Sequence, residues 1–172
     1  MGYFSKFPLT GVFASDNVNF TIVTDITKRV AIKNYIKTNF SIFDEYDIQE
    51  SDTPEILAYN LYGSTEYHWI ILLMNDIIDP RFEWPLTQEQ LVRYARNKYG
   101  ETDEEIYATH HYEADIDDST IVDFDDENFP NKVSISNMDY EININETKRR
   151  IKILKPQYVA QLNQEFEKII NV

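Results

Sequence analysis

Three histidines, His68, His110 and His111, and a dense run of carboxylates at Asp115, Asp117, Asp118, Asp123, Asp125, Asp126 and Glu127 are the side chains best suited to proton transfer or metal ligation. No two histidines stand at the i, i+4 spacing that sets two imidazoles on one metal, and no cysteine can add a thiolate. His68 falls between Tyr67 and Trp69 in a segment patterned as a packed helix. On a strand, His110 and His111 would point to opposite faces. Glycoside hydrolysis needs two carboxyl groups at a set separation, one of them kept protonated, and spacing singles out no such pair here. The Asp123–Glu127 run lacks the central glycine of a calcium loop. No glycine-rich phosphate loop or serine elbow occurs. The histidines read as satisfied surface residues and the carboxylates as a solvated face. No catalytic residue, metal ligand or cofactor is expected.

The bulk chemistry narrows the function classes further. A formal charge of −14, from 30 acidic and 16 basic residues, opposes nonspecific binding to nucleic acid. With 42% apolar residues over 172 positions, the chain can bury a core. Twelve tyrosines and ten phenylalanines against four glycines suit either that core or a protein interface. The longest apolar run, Trp69–Met74, fits a buried helix and is far too short to span a membrane. The start, Met1 to Leu9, has no sustained apolar stretch, so no signal peptide is expected. The lack of cysteine suits assembly in a reducing cytoplasm.

The elements that would position these residues are unevenly marked. Residues 1–24 read as an extended aromatic arm with short strands, followed by a helix over Ile26–Lys37 capped by Asp25. Phe40 to Ile48 alternates as a strand. Thr53 caps a helix with Pro54 in its first turn, and Gly63 ends it. Ser64 caps a second helix through Met74, with Trp69, Leu72 and Leu73 facing inward. Phe82–Leu86 reads as a short edge strand. Thr87 and Gln90 form a capping box for a third helix, stopped by Gly100. Between Glu101 and Thr147 there are 15 acidic residues and one basic residue, Lys132. Alternation at 106–112, 120–124, 132–135 and 140–144 nevertheless predicts short strands there. The basic run Lys148–Lys155 reads as a strand, and Pro156 opens an amphipathic helix carrying Val159, Leu162, Phe166, Ile169 and Ile170. The fold class is therefore α+β. The expected organisation is an arm and short helix over 1–40, a core with its following helix over 41–100, an acidic β-rich region over 101–154, and a terminal helix over 155–172.

Asp47-Ile48, Asp52-Thr53, Leu57-Ala58, Leu61-Tyr62-Gly63 and Asn75 resemble the LysM module, a β-α-α-β fold that in many proteins binds N-acetylglucosamine chains. Ser51 stands where that module commonly has glycine. A wider set resembles the baseplate wedge family of T4-like contractile-tailed phages whose subunit holds a LysM-like domain. It comprises Thr53–Ala58, Leu61–Gly63, Tyr67–Asp76, Asp79-Pro80, Trp84–Thr87 and the Lys148–Ile153 ending with Leu162–Ile170. That resemblance implies a non-catalytic structural protein of the virion tail baseplate, assembled in the host cytoplasm and tying neighbouring wedges around the hub. Its implied partners are other wedge proteins, including the large dimeric scaffold subunit and the sheath-initiating one, with no nucleic acid and no membrane. It assigns Asp52, Thr53, Leu57, Ala58, Gly63, Trp69 and Asn75 to the LysM-like framework. Composition adds Tyr3, Phe4, Phe7, Arg81, Trp84, Arg149, Arg150 and Phe166 as expected partner contacts. The alternatives are a LysM-type peptidoglycan-binding module and a cell-wall hydrolytic tail component.

Overall fold

The computed structural model describes residues 3–13, 20–28, 41–115 and 118–170. The helix expected over Ile26–Lys37 lies largely outside these residues. Only its start is described, a turn in which the Asp25 carboxylate accepts from the Thr27 backbone N–H at 3.1 Å and the Thr27 hydroxyl at 2.6 Å.

In chain order, a 3₁₀ turn (Tyr3–Lys6) leads to strands β1 (Leu9–Phe13), β2 (Phe20–Thr24) and β3 (Phe43–Asp47). Helices α1 (Pro54–Tyr62), α2 (His68–Met74), α3 (Pro80–Glu83), α4 (Gln88–Tyr99) and α5 (Asp103–Ile106) follow. Strands β4 (Thr109–Asp115), β5 (Asp118–Val122) and β6 (Val133–Ser136) precede helix α6 (Asn137–Thr147), strand β7 (Arg150–Leu154) and helix α7 (Val159–Ile170). The fold is mixed α+β, with several short strands and helices.

The chain divides into two structural units. The first comprises Met1–Asp47, Asp52–Glu83 and Ile151–Val172. Its sheets are the antiparallel hairpin β1–β2 and the pair β3–β7. The Lys155 N–H donates to the Ile42 carbonyl, while the Ile48 N–H donates to the Arg149 carbonyl, so β3 and β7 run antiparallel. β7 is thus paired with a strand more than a hundred residues earlier, and α1 and α2 lie between the two in sequence. Helix α1 begins as expected: the Thr53 hydroxyl accepts from the Ile56 N–H at 3.3 Å, with Pro54 in the first turn. It ends at Gly63, whose φ of 75° is left-handed and whose N–H reaches the Tyr59 carbonyl. Ser64 caps a 3₁₀ turn, Thr65–Tyr67, that runs into α2. The core gathers Phe7, Trp69, Ile70, Leu154, Val159, Phe166 and Ile170, with the Trp69 and Phe166 rings 4.7 Å apart. Within α2 the fully buried positions are Ile70, Ile71 and Met74, while Leu72 and Leu73 are half-buried.

The strand expected over Phe82–Leu86 is absent, and residues 80–83 form α3 instead. Asp79 accepts from the Arg81 N–H at 3.1 Å and its carbonyl accepts from Phe82 and Glu83. With Pro80 fixing φ behind an Asp cap, a helical turn forms where the aromatic alternation suggested a strand.

The second unit comprises Ile48–Ser51 and Trp84–Arg150. Here α4 carries the expected Thr87–Gln90 capping box and buries Leu91 and Ala95. These join Ile106 and Met138 in a core of their own. Strands β5, β4 and β6 form an antiparallel sheet with β4 in the middle. Residues 103–106, the approach to the first expected strand, are helical because Thr102 and Glu105 make a second capping box. The strand expected over 140–144 is a correction of a larger kind, since this segment lies inside α6. Its buried residues are Met138, Glu141 and Asn145, at helical spacing, so the hidden face is partly polar and Ile142 is left outside. Hydrophobic alternation therefore misreads it.

Asn145 shows why that polar face is buried. Its side-chain amide accepts from the Leu86 N–H at 2.7 Å and donates to the Leu86 carbonyl at 3.0 Å, closing a two-point clamp on one residue's backbone. Asn145→Leu is expected to destabilise this unit by about 3 kcal/mol, because both Leu86 groups lose their partner. A urea titration followed through the Trp84 signal would measure it.

Candidate functional site

The feature that stands apart in the first unit is the hairpin β1–β2. All five residues of β1 are exposed and four of the five in β2, although most are apolar or aromatic. Leu9 is 70% exposed, Phe13 61%, Phe20 57% and Ile22 64%. A soluble chain hides such side chains unless a partner will cover them. A lone two-stranded ribbon is also marginal in water. Cross-strand packing supplies what local support there is. Phe13 and Phe20 face each other in register, their rings 5.5 Å apart edge to face. Gly11 leaves room for the Phe20 ring, which a β-carbon there would strike.

A second exposed apolar feature of this unit is the turn at α3. Ile78 and Phe82 are 72% and 73% exposed. The backbone beneath them is fixed: the Glu83 carboxylate accepts from the Ile78 N–H at 2.6 Å, and Arg81 makes a bidentate pair with Asp79 at 3.0 and 2.7 Å. The Arg81 guanidinium lies over the Phe82 ring, 5.6 Å from its centre.

The residues assigned to the LysM-like framework do structural work inside this unit. Leu57, Ala58 and Trp69 are buried. Asp52 accepts a 2.8 Å hydrogen bond from the Tyr46 hydroxyl. Asn75 is the most heavily used: its amide nitrogen donates to the Ile71 and Lys152 carbonyls, both at 2.8 Å, and its oxygen accepts from the Lys152 N–H at 2.7 Å. It therefore locks β7 to the end of α2.

The expected partner contacts fall in different places. Phe4, Arg81 and Arg150 are exposed, whereas Phe7, Trp84 and Phe166 are buried within the chain. The backbone of Tyr3 lies in the opening 3₁₀ turn. Arg149 is drawn onto Glu146 at 2.7 Å and Glu50 at 3.3 Å, and donates to the Ile48 carbonyl at 3.1 Å. Composition pointed to the aromatic arm of residues 1–24, and within it the aliphatic and aromatic side chains of β1 and β2 are exposed. The run Phe20-Thr21-Ile22-Val23-Thr24, β-branched and punctuated by no charge, is the signal that marks it.

Buried polar groups of the second unit are paired within that unit. Buried Glu141 receives the Lys98 ammonium and the Tyr99 hydroxyl, each at 2.7 Å. The pairing of His110 with His111 corrects the expectation that they point apart. A bulge in β4 between Thr109 and His111 inserts His110, and the two Nδ1 atoms come within 2.8 Å. His111 continues to Glu113 at 3.3 Å, and His110 stacks on Tyr140 with centroids 4.0 Å apart. No group of three His, Asp or Glu side chains that could hold a metal ion occurs among the described residues. No helix among them is long and apolar enough to cross a membrane.

These pairings fix an alkaline limit on stability. The Glu141 hydrogen bond raises the Lys98 pKa, so that contribution is whole below the unfolded lysine value and lost as pH climbs through the folded one. Burial raises Tyr99, Tyr62 and Tyr46, the last to about 12 with help from Asp52, so folding holds these phenols neutral where the unfolded chain would ionise them. Both effects act in the same direction. The urea midpoint is expected to fall above about pH 10, and Tyr62→Phe should flatten that fall.

Comparison with known proteins agrees with a chain built for contact. The family described as "Base plate wedge protein 53" matches residues 2–137. Baseplate wedge protein gp53 of Enterobacteria phage T4 is 33% identical over 79 residues, which are 45% of this chain and 39% of that protein. The aligned region thus spans about two-fifths of that relative's length. A match over most of the chain settles its membership: it belongs to the base plate wedge protein 53 family, structural proteins of the phage tail baseplate.

Proposed function

We propose that this chain is a non-catalytic subunit that joins neighbouring wedges around the baseplate hub, with its β1–β2 hairpin as the principal point of attachment. The observation that carries this reading is the hairpin itself: an apolar ribbon exposed among the described residues, in a member of a wedge family. Other wedge proteins are the occupants, among them the large dimeric scaffold subunit and the small sheath-initiating one. Ile78 and Phe82 offer a second, smaller contact.

In this reading β3, α1, α2 and β7 form the LysM-like β-α-α-β core, and residues 84–149 are an insertion before its closing strand. The use of Asn75 and Asp52 within the fold supports a scaffold role for that core, since both side chains are occupied by their own chain. A phage defective in this gene, complemented with the full chain, tests the reading. Purified tails should contain the chain and have closed baseplates only when it is supplied. Tails that close without it would refute the proposal.

A further inference from the structure

The hairpin β1–β2 has two unlike faces and two open edges. Its register runs unbroken from Leu9 opposite Thr24 to Phe13 opposite Phe20. Alternation along each strand therefore sets Leu9, Gly11, Phe13, Phe20, Ile22 and Thr24 on one face and Thr10, Val12, Thr21 and Val23 on the other. Leu9, Phe13, Phe20 and Ile22 are each more exposed than Val12 at 49% and Val23 at 38%.

The same register assigns the backbone groups. The Asp25 N–H donates to the Pro8 carbonyl at 2.8 Å, which makes these two a hydrogen-bonded pair. Antiparallel ladders alternate, so Thr10 with Val23 and Val12 with Thr21 are the next such pairs. The N–H and C=O groups of Leu9, Gly11 and Phe13 then point out of one edge, and those of Phe20, Ile22 and Thr24 out of the other. No third strand meets either edge among the described residues. Sheets commonly guard such edges with charge, proline or a bulge. β1 and β2 carry no charge and no proline, and their ladder has no register shift, unlike both ladders of the β5–β4–β6 sheet.

Two five-residue strands offer a face of roughly 17 by 10 Å, about 170 Å², against the roughly 800 Å² per partner of a stable interface. Side-chain burial on that face alone falls short, and a line of backbone hydrogen bonds supplies what is missing. We propose that an extended strand of a neighbouring wedge protein completes the hairpin, pairing along the β2 edge with the backbone of Phe20, Ile22 and Thr24. Apolar or β-branched side chains at alternate positions of that strand lie beside Phe20 and Ile22. The β2 edge is the better template, because Gly11 interrupts β1 where Ile22 stands on β2. This inference rests on the hairpin being the point of attachment.

Ile22→Pro removes an outward N–H and leaves the inward groups of Thr21 and Val23 in place, whereas Ile22→Ala removes the side chain and keeps the N–H. With the full chain supplied to the defective phage, Ile22→Pro is expected in tails at a level at least about tenfold below Ile22→Ala. A cross-strand NOE between Phe13 and Phe20 in the free chain checks that the hairpin survives. Thr24→Pro against Thr24→Ala repeats the comparison at the next outward position, and decides the matter should Ile22→Pro disturb the hairpin. Equal incorporation within both pairs, while the combined Phe13→Asp and Ile22→Asp variant stays out of tails, would overturn strand addition and leave attachment by the hairpin face. Entry of that combined variant into tails would overturn attachment through the hairpin itself.

Discussion

Replacing Asn75 by leucine is expected to cost the first unit about 4 kcal/mol of stability, a large effect for a side chain that is only half-buried. Asn75 makes three hydrogen bonds, two of them to the backbone of Lys152 in β7. Leucine supplies none, so the Lys152 N–H and carbonyl lose the partner that fixes β7 against α2. β3 has β7 as its partner in a two-stranded sheet, and a loosened β7 loosens both strands. Asn75→Asp discriminates the mechanism. At neutral pH aspartate keeps the acceptor for Lys152 N–H but sets a second oxygen against two carbonyls, so it should rescue little. Protonation restores a donor, so the deficit should shrink in acid. Urea unfolding read through Trp69, in a Trp84→Phe background, measures both variants.

The second large effect concerns attachment. Phe13→Asp combined with Ile22→Asp is expected to cost about 1 kcal/mol or less of folding stability, chiefly the Phe13–Phe20 ring contact, because both side chains are otherwise largely in water. Incorporation into tails should nevertheless fall by about a hundredfold or more. Burying a phenylalanine or isoleucine against a partner is worth roughly 1.5–3 kcal/mol each, and an unpaired carboxylate there adds a desolvation penalty. Counting this subunit in purified tails after complementation gives the readout.

How much of this was legible beforehand depended on whether the controlling interaction was local. Thr53-Pro54, Gly63 and the Thr87–Gln90 box act within a few residues of themselves and the helix ends they mark fall where expected, whereas Ser64 caps a 3₁₀ turn ahead of α2. The segment 140–144 defeated the pattern because α6 buries Glu141 and Asn145, polar residues whose partners, Lys98, Tyr99 and Leu86, are more than forty residues away. Alternation cannot register a buried amide clamp. The bulge that brings His110 to His111 is set by pairing with β6 and was equally invisible. β7 was recognisable as a strand from its basic-apolar alternation, but its partner β3 was not, since no local signal specifies a pairing over that separation. The role of Asn75 was named through resemblance, whereas its mechanism, a clamp on Lys152, came only with the fold. The arm over residues 1–24 was legible as an extended aromatic segment with short strands, whereas the pairing of β1 with β2 and its register were not, because no local signal specifies them.

Amide hydrogen exchange over Leu9–Phe13 and Phe20–Thr24, compared between the free chain and assembled tails, tests the central claim most directly. The free hairpin should exchange fast, as expected of an isolated two-stranded ribbon in water. In tails the same amides should be strongly protected, with the core amides of α2 little changed. Equal, fast exchange of the hairpin in both states would contradict attachment through β1–β2.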